Sequence, residues 1–237
     1  MQIIGIAPAI GLIAFGGLFS SVQGSGNVKE EVRNVGNFSG VQVGHGFKAN
    51  ITVGPSTSVK VSADDNLLPL IKTEVRNGDL VIETERSNGF RSSNPITISI
   101  ATPKLERIGA SGGAAVTADG TTGPRFSASV SGGGSARVSG LNSDQVDVGA
   151  SGGSRVDLAG KAKTIKAQLS GGASLRANDV PTESVQVEGS GGSRAEVNAS
   201  AAIDASLSGG SRVKVNGDPP KKNVQKSGGS EVIFASR

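Results

Sequence analysis

From Ile108 to Phe234 apolar and polar residues alternate in short runs. Ile108/Ala110, Phe126/Ala128/Val130, Val146/Val148/Ala150, Ile165/Ala167/Leu169, Val185/Val187 and Ile203/Ala205/Leu207 form one set. Val116/Ala118, Ala136/Val138, Val156/Leu158, Leu175/Ala177, Ala195/Val197, Val213/Val215 and Val232/Phe234 form the other. A period of two marks a strand with one buried face, because successive side chains leave the backbone on opposite sides. The tripeptide Ser-Gly-Gly separates the two sets. It begins at Ser111, Ser131, Ser151, Ser170, Ser190, Ser208 and Ser227, at intervals of 18 to 20 residues.

That period is too short for helical-pair repeats or propeller blades. One copy cannot bury its small aliphatic side chains, but stacked copies can, each residue resting on its equivalent in the next turn. The glycine pairs Gly112/Gly113, Gly132/Gly133, Gly152/Gly153, Gly171/Gly172, Gly191/Gly192, Gly209/Gly210 and Gly228/Gly229 then read as corners, where the backbone must bend sharply or adopt positive φ, which other residues reach only at a cost. Second corners fall at Gly140, Gly160, Asn178/Asp179 and Asn216/Gly217. The pattern predicts an all-β fold, a single-stranded right-handed parallel β-helix (a β-solenoid) with about 20 residues per turn. At ~4.8 Å per strand, about ten or eleven turns would make a rod roughly 50 Å long.

Residues 25–100 lack Ser-Gly-Gly but keep the alternation in Val41/Val43, Ile51/Val53, Val59/Val61, Leu80/Ile82 and Ile96/Ile98/Ile100, so they read as early turns with insertions. A short helix is expected between Asp64 and Lys72, with Asp64 or Asp65 as N-cap. Asn77-Gly78 predicts a tight hairpin turn. Residues 101–237 form the regular array. Phe38-x-x-Val41-x-Val43, then Ala63-Asp64-Asp65-Asn66-Leu67-Leu68, then Val75-x-Asn77-Gly78-x-Leu80-x-Ile82, ahead of Ser-Gly-Gly rungs, resembles the putative autotransporter adhesin head, or GIN, domain family. The resemblance covers about residues 32–237. It implies a right-handed β-helix in an exported envelope protein with an adhesin-like role, and supplies no catalytic residues.

Ile3 to Phe19 is apolar or Gly/Pro throughout, no charge precedes Lys29, and small residues follow at Ser20, Ser21 and Gly24. Residues 1–24 are therefore expected to be a signal peptide or an N-terminal anchor, and the membrane is reached only through them. The chain has 237 residues with no Cys, Trp or Tyr and a single His, which excludes thiolate catalysis, disulfides and cysteine metal sites. His45, between Gly44 and Gly46, reads as an exposed turn residue. Net charge is +4, and residues 101–237 hold the whole excess. Basic residues are not interleaved with aromatics, which argues against nucleic acid.

Stacking places equivalent outward residues in columns. One column, Thr117, Arg137, Asp157, Arg176, Glu196, Lys214, Ile233, alternates in charge and reads as a register-keeping ladder. A neighbouring column holds Arg155, Arg194 and Arg212, the candidate residues for an anionic ligand. The serines of Ser-Gly-Gly are expected to bond their hydroxyls to corner backbone, with polar sugar contacts along the serine column as the alternative. Asp64/Asp65, Asp144/Asp147 and Asp179/Glu183 sit where capping and turns explain acids, so no catalytic, metal or cofactor site is assigned. Lys221, Lys222 and Lys226 after Pro219-Pro220 read as protection of the last strand; without such a cap, end-to-end homo-oligomers are expected. The expected function is an exported, non-catalytic scaffold or adhesin-like binder of a cell-surface glycan or envelope protein, in the periplasm, outer membrane or cell surface. The alternative is a polysaccharide lyase or hydrolase of the β-helix kind.

Overall fold

The computed structural model describes residues 21–84 and 90–235. The expected signal peptide falls almost entirely on residues 1–20, outside the described residues. Among those described, no helix is long and apolar enough to cross a membrane.

The alternating runs form two parallel ladders joined at the Ser-Gly-Gly corners. The pre-corner face stacks 107–110, 125–130, 145–150, 164–169, 184–189, 202–207 and 221–226 in that order. The post-corner face stacks 115–119, 135–138, 155–158, 174–177, 194–198, 212–216 and 231–235. Seven layers at about 20 residues per turn make a β-solenoid of about six turns. One core column alternates large and small side chains, while the column of Phe126, Val146, Ile165, Val185 and Ile203 is large throughout. Ile108, Ala128, Val148, Ala167, Val187 and Ala205 lie directly above one another, all at most 3 % exposed. A narrow interior is filled this way without strain, since each Ala makes room for its branched neighbours.

The corners are turns in which the residue after the glycine pair donates its N–H back to the serine carbonyl, as from Ala114 to Ser111 (3.1 Å) and from Gly134 to Ser131 (2.9 Å). The first glycine of every pair has positive φ, while the second does so only at Gly113 and Gly133. At Gly153, Gly172, Gly192, Gly210 and Gly229 the second glycine has no positive φ, because one left-handed residue is enough to turn the chain. From the fourth corner on, the turns also join the ladder: Gly172, Gly192 and Gly210 donate to the carbonyls of Gly152, Gly171 and Gly191 at 2.6–2.8 Å. A Cβ on Gly209 would stand 2.8 Å from the Gly191 oxygen, so glycine is required there by conformation and by the rung beneath. Gly229, in the last corner, is the contrary case. It is exposed, and an added Cβ would lie 3.7 Å from the Gly209 oxygen, an ordinary contact, so neither positive φ nor crowding demands glycine at this position.

The early segment departs from the expected order. Residues 40–43 and 48–53 form the layer directly under 107–119, and the turn between them, Gly44-His45-Gly46-Phe47, is an unmarked eighth corner. Phe47 donates to the Gly44 carbonyl at 3.2 Å, and His45 takes the positive φ (58°) that the first glycine takes elsewhere. The next layer out, 79–84 with 97–102, comes later in the chain. The backbone therefore passes outward and returns before climbing the regular array. The solenoid thus has about six turns, not the expected ten or eleven, because the early segment adds only these two parallel layers before the strands Val28–Arg33, Ser58–Asp64 and Ile71–Arg76 run antiparallel and close the N-terminal end. Asn77 and Gly78, both at positive φ, make the expected hairpin turn. The expected helix between Asp64 and Lys72 is only a 3-10 turn, Leu68–Leu70, with no side-chain cap. Pro69 inside the short stretch lacks the N–H a longer helix would use, and Ile71 is drawn into a strand.

Candidate functional site

The two outer faces differ in chemistry. On the post-corner face, the ladder pairs Arg137 with Asp157, Asp157 with Arg176, Arg176 with Glu196, and Glu196 with Lys214, so the alternating column has the register expected. Arg137 and Asp157 meet at 3.4 Å. In the adjacent column Arg155 lies on Ser174, Ser174 on Arg194, and Arg194 directly on Arg212. Arg212 is neutralised by Glu231 at 2.9 Å, whereas Arg155 and Arg194 have no carboxylate partner among the described residues. The structure thus brings the three guanidiniums into one file, two of them unpaired.

On the pre-corner face a furrow runs over the layers, and nothing in the sequence pattern singled it out. Three confluent hollows compose it. One of about 460 Å³ is lined by Ser129, Asp147, Gly149, Lys166, Gln168 and Glu188 among others. A second of about 610 Å³ adds Ser131, Ser151, Ser170, Ser190 and Ser208. The third, about 200 Å³, carries it on to Gln42 and His45. Small side chains at Ser129 and Gly149 leave the floor low, and Gln168 donates to Glu188 at 3.3 Å on the rim.

The corner serines are placed differently from expectation. Their backbone N–H groups are held in the ladder, as Ser131 N to Ala110 O (2.9 Å) and Ser208 N to Gly189 O (2.8 Å). Their hydroxyls bond nothing among the described residues. The hydroxyl-to-backbone bonds belong to the serine three places on: Ser211 Oγ donates to the Ser208 carbonyl (2.8 Å) and Ser230 Oγ to that of Ser227 (2.7 Å). The fourth corner position points inward and the first outward; of the inward hydroxyls Ser193 bonds Ser211 Oγ (3.1 Å), while Ser154 Oγ is buried without a partner among the described residues. The outward file presents donor and acceptor capacity about every 4.8 Å.

The acids do not converge. Asp144 pairs with Lys163 (2.7 Å), Asp147 with the Gln145 amide (2.9 Å), and Asp179 with Asn178 (2.9 Å). Among the described residues, no three His, Asp or Glu side chains come together as a metal site. Asp64 and Asp65 form a clasp in place of the expected cap. Asp64 accepts from Asn94 Nδ2 and Ser92 Oγ, both at 2.7 Å, and Asp65 from Ser25 Oγ (2.6 Å) and Asn27 Nδ2 (2.8 Å), fastening three segments together. These donors hold both carboxyls below the usual aspartate range. A depressed native value means the unfolded chain takes up protons first on acidification. The clasp's contribution is thus intact above about pH 4 and is lost as pH falls through the lowered values. Thermal melts from pH 7 to pH 3 are expected to show a smaller acid-side fall for Asp64→Asn/Asp65→Asn than for the unaltered protein; parallel curves would contradict this.

A solenoid with two long, regular side faces, on which no reactive groups converge among the described residues, defines the class as a repeat protein. The chain belongs to the family described as "putative auto-transporter adhesin, head GIN domain", whose profile matches residues 37–219. Solved structures share the fold. A "putative adhesin" from Bacteroides fragilis superposes with a TM-score of 0.84 at 22% identity, covering 91% of this chain and all of that one. A "putative lipid binding protein" and a "putative adhesin", both from Parabacteroides distasonis, each reach 0.70, at 15% and 17% identity, with the same coverage. No curated protein is significantly similar in sequence.

Proposed function

We propose that the protein is an exported, non-catalytic, adhesin-like component of the bacterial envelope that holds hydroxyl-rich surface chains, cell-surface glycans above all, along the pre-corner furrow. The observation that carries this reading is the file of corner serine hydroxyls without partners among the described residues, lining a trough that follows the long axis. With no Trp or Tyr for ring stacking, recognition rests on hydroxyl and amide hydrogen bonds. Family membership supports the adhesin-like role and an envelope or extracellular location. The apolar residues 3–19 support export, with removal or retention of residues 1–24 as the two routes.

A second reading, favoured by the unpaired Arg155 and Arg194 in one file with Arg212, assigns acidic chains to the post-corner face. A glycan array tests both. Ser131→Val/Ser151→Val/Ser170→Val is expected to weaken neutral glycan binding at least tenfold, and Arg155→Ala/Arg194→Ala/Arg212→Ala to remove only acidic ligands. Binding indifferent to the serine variant would sink the furrow. Sustained release of oligosaccharide by the pure protein would overturn the non-catalytic reading in favour of the lyase or hydrolase alternative.

A further inference from the structure

The two ends of the solenoid carry charge where its columns carry core. On the last pre-corner strand, Lys221–Lys226, Lys222 lies on Ile203, Val224 on Ala205 and Lys226 on Leu207. The Ile203 column below is Val185, Ile165, Val146 and Phe126, so the lysine interrupts an otherwise apolar file. Lys222 Nζ is 4.7 Å from the centre of the Phe234 ring and 2.5 Å from Asp218, which folds the side chain across the mouth of the core. The companion post-corner strand, Glu231–Ala235, keeps apolar residues in the core columns, Val232 on Val213 and Phe234 on Val215.

The N-terminal end reverses the arrangement. Its outermost post-corner strand, Val28–Arg33, sets Lys29, Glu31 and Arg33 opposite the buried Ala63, Val61 and Val59. Its outermost pre-corner strand, Ile71–Arg76, sets Thr73 and Val75 opposite the buried Ile82 and Leu80. Each end therefore has one charged and one apolar terminal strand, on opposite faces at the two ends.

We propose that this placement makes the solenoid refuse a second copy of itself at either end, although among the described residues its terminal strands have one edge that pairs with no further strand. Head to tail, Lys222 and Lys226 would be buried against Ile71, Thr73 and Val75, while Val232 and Phe234 would meet Lys29, Glu31 and Arg33. Tail to tail, a two-fold axis sets the lysine strand either on its own copy or on Val232 and Phe234. Head to head, the charged strand either meets its copy, which buries the file of Lys29, Glu31 and Arg33 against itself, or meets the apolar strand. Every arrangement desolvates charge, either Lys226, which has no carboxylate partner among the described residues, or the ion pairs Lys222–Asp218, Lys29–Asp65 and Arg33–Glu31, and that penalty is one strand hydrogen bonds do not offset. The regular rungs stack on uncharged core positions, and lysine enters the file on the last described pre-corner strand.

The test is the oligomeric state of the full chain by sedimentation equilibrium. The unaltered protein is expected to be monomeric. Lys222→Ile/Lys226→Leu, which restores the residue types of Ile203 and Leu207, is expected to raise end-to-end self-association at least tenfold, and adding Val224→Lys to abolish it again. Lys226→Leu alone breaks no ion pair found in the structure and is expected to associate more weakly, which preserves the test if the double variant folds poorly. Lys161→Ala/Lys163→Ala, on the side of the rod, is expected to stay monomeric. Self-association of the unaltered chain, or folded variants of both kinds that remain monomers, would overturn the inference.

Discussion

Gly160→Ala is expected to destabilise the protein by at least about 3 kcal/mol, read as the loss in urea-unfolding free energy. Gly160 has φ of +140°, and a Cβ there would overlap the Leu141 carbonyl oxygen while standing 2.5 Å from the Leu141 nitrogen and 2.8 Å from its Cα. All three are backbone atoms of the adjacent rung, paired with Gly160 across the ladder, so no side chain can rotate away to relieve the contact. Gly153→Ala is the matched control. It lies in a Ser-Gly-Gly corner, yet has no positive φ and nothing within 4 Å of the added carbon. Its effect is expected to stay within about 0.5 kcal/mol. Comparable losses for the two variants would refute the account of the second corners.

Phe126→Ala is expected to cost about 3–5 kcal/mol. Phe126 is 1 % exposed and heads the column that continues through Val146 and Ile165. The strand Arg125–Val130 is tied to rungs on both sides, by Ser127–Val130 on one and along its whole length on the other, so the walls cannot close into the cavity. The outcome should appear as a lowered denaturation midpoint with an unchanged slope. A loss below about 1 kcal/mol would show a core that collapses freely, contrary to close packing.

The corner glycines reveal how motif and stack divide the work. Ser-Gly-Gly announces every regular corner in the sequence because the local turn demands its first glycine; the second, as at Gly153 and Gly229, is left with no conformational demand of its own. Gly44-His45-Gly46-Phe47 performs the same turn without the motif, and only its neighbours Val43 and Phe47, both buried, hint at it. The clasp at Asp64 and Asp65 was hidden for another reason. Its donors Ser25, Asn27, Ser92 and Asn94 lie 28 to 40 residues away, so the local sequence favoured a helix cap.

By itself the sequence determined the strands, the corners, the register and the charged columns. Alternation and glycine spacing act within one turn, and identical turns have one economical way to stack. It also placed Arg155, Arg194 and Arg212 in one file. The tertiary structure decided the order of the outer layers, the antiparallel closure of the N-terminal end, the furrow, and the freedom of the outward serines. These depend on which turn lies against which, a choice set by packing between residues distant in the chain and invisible to any local period.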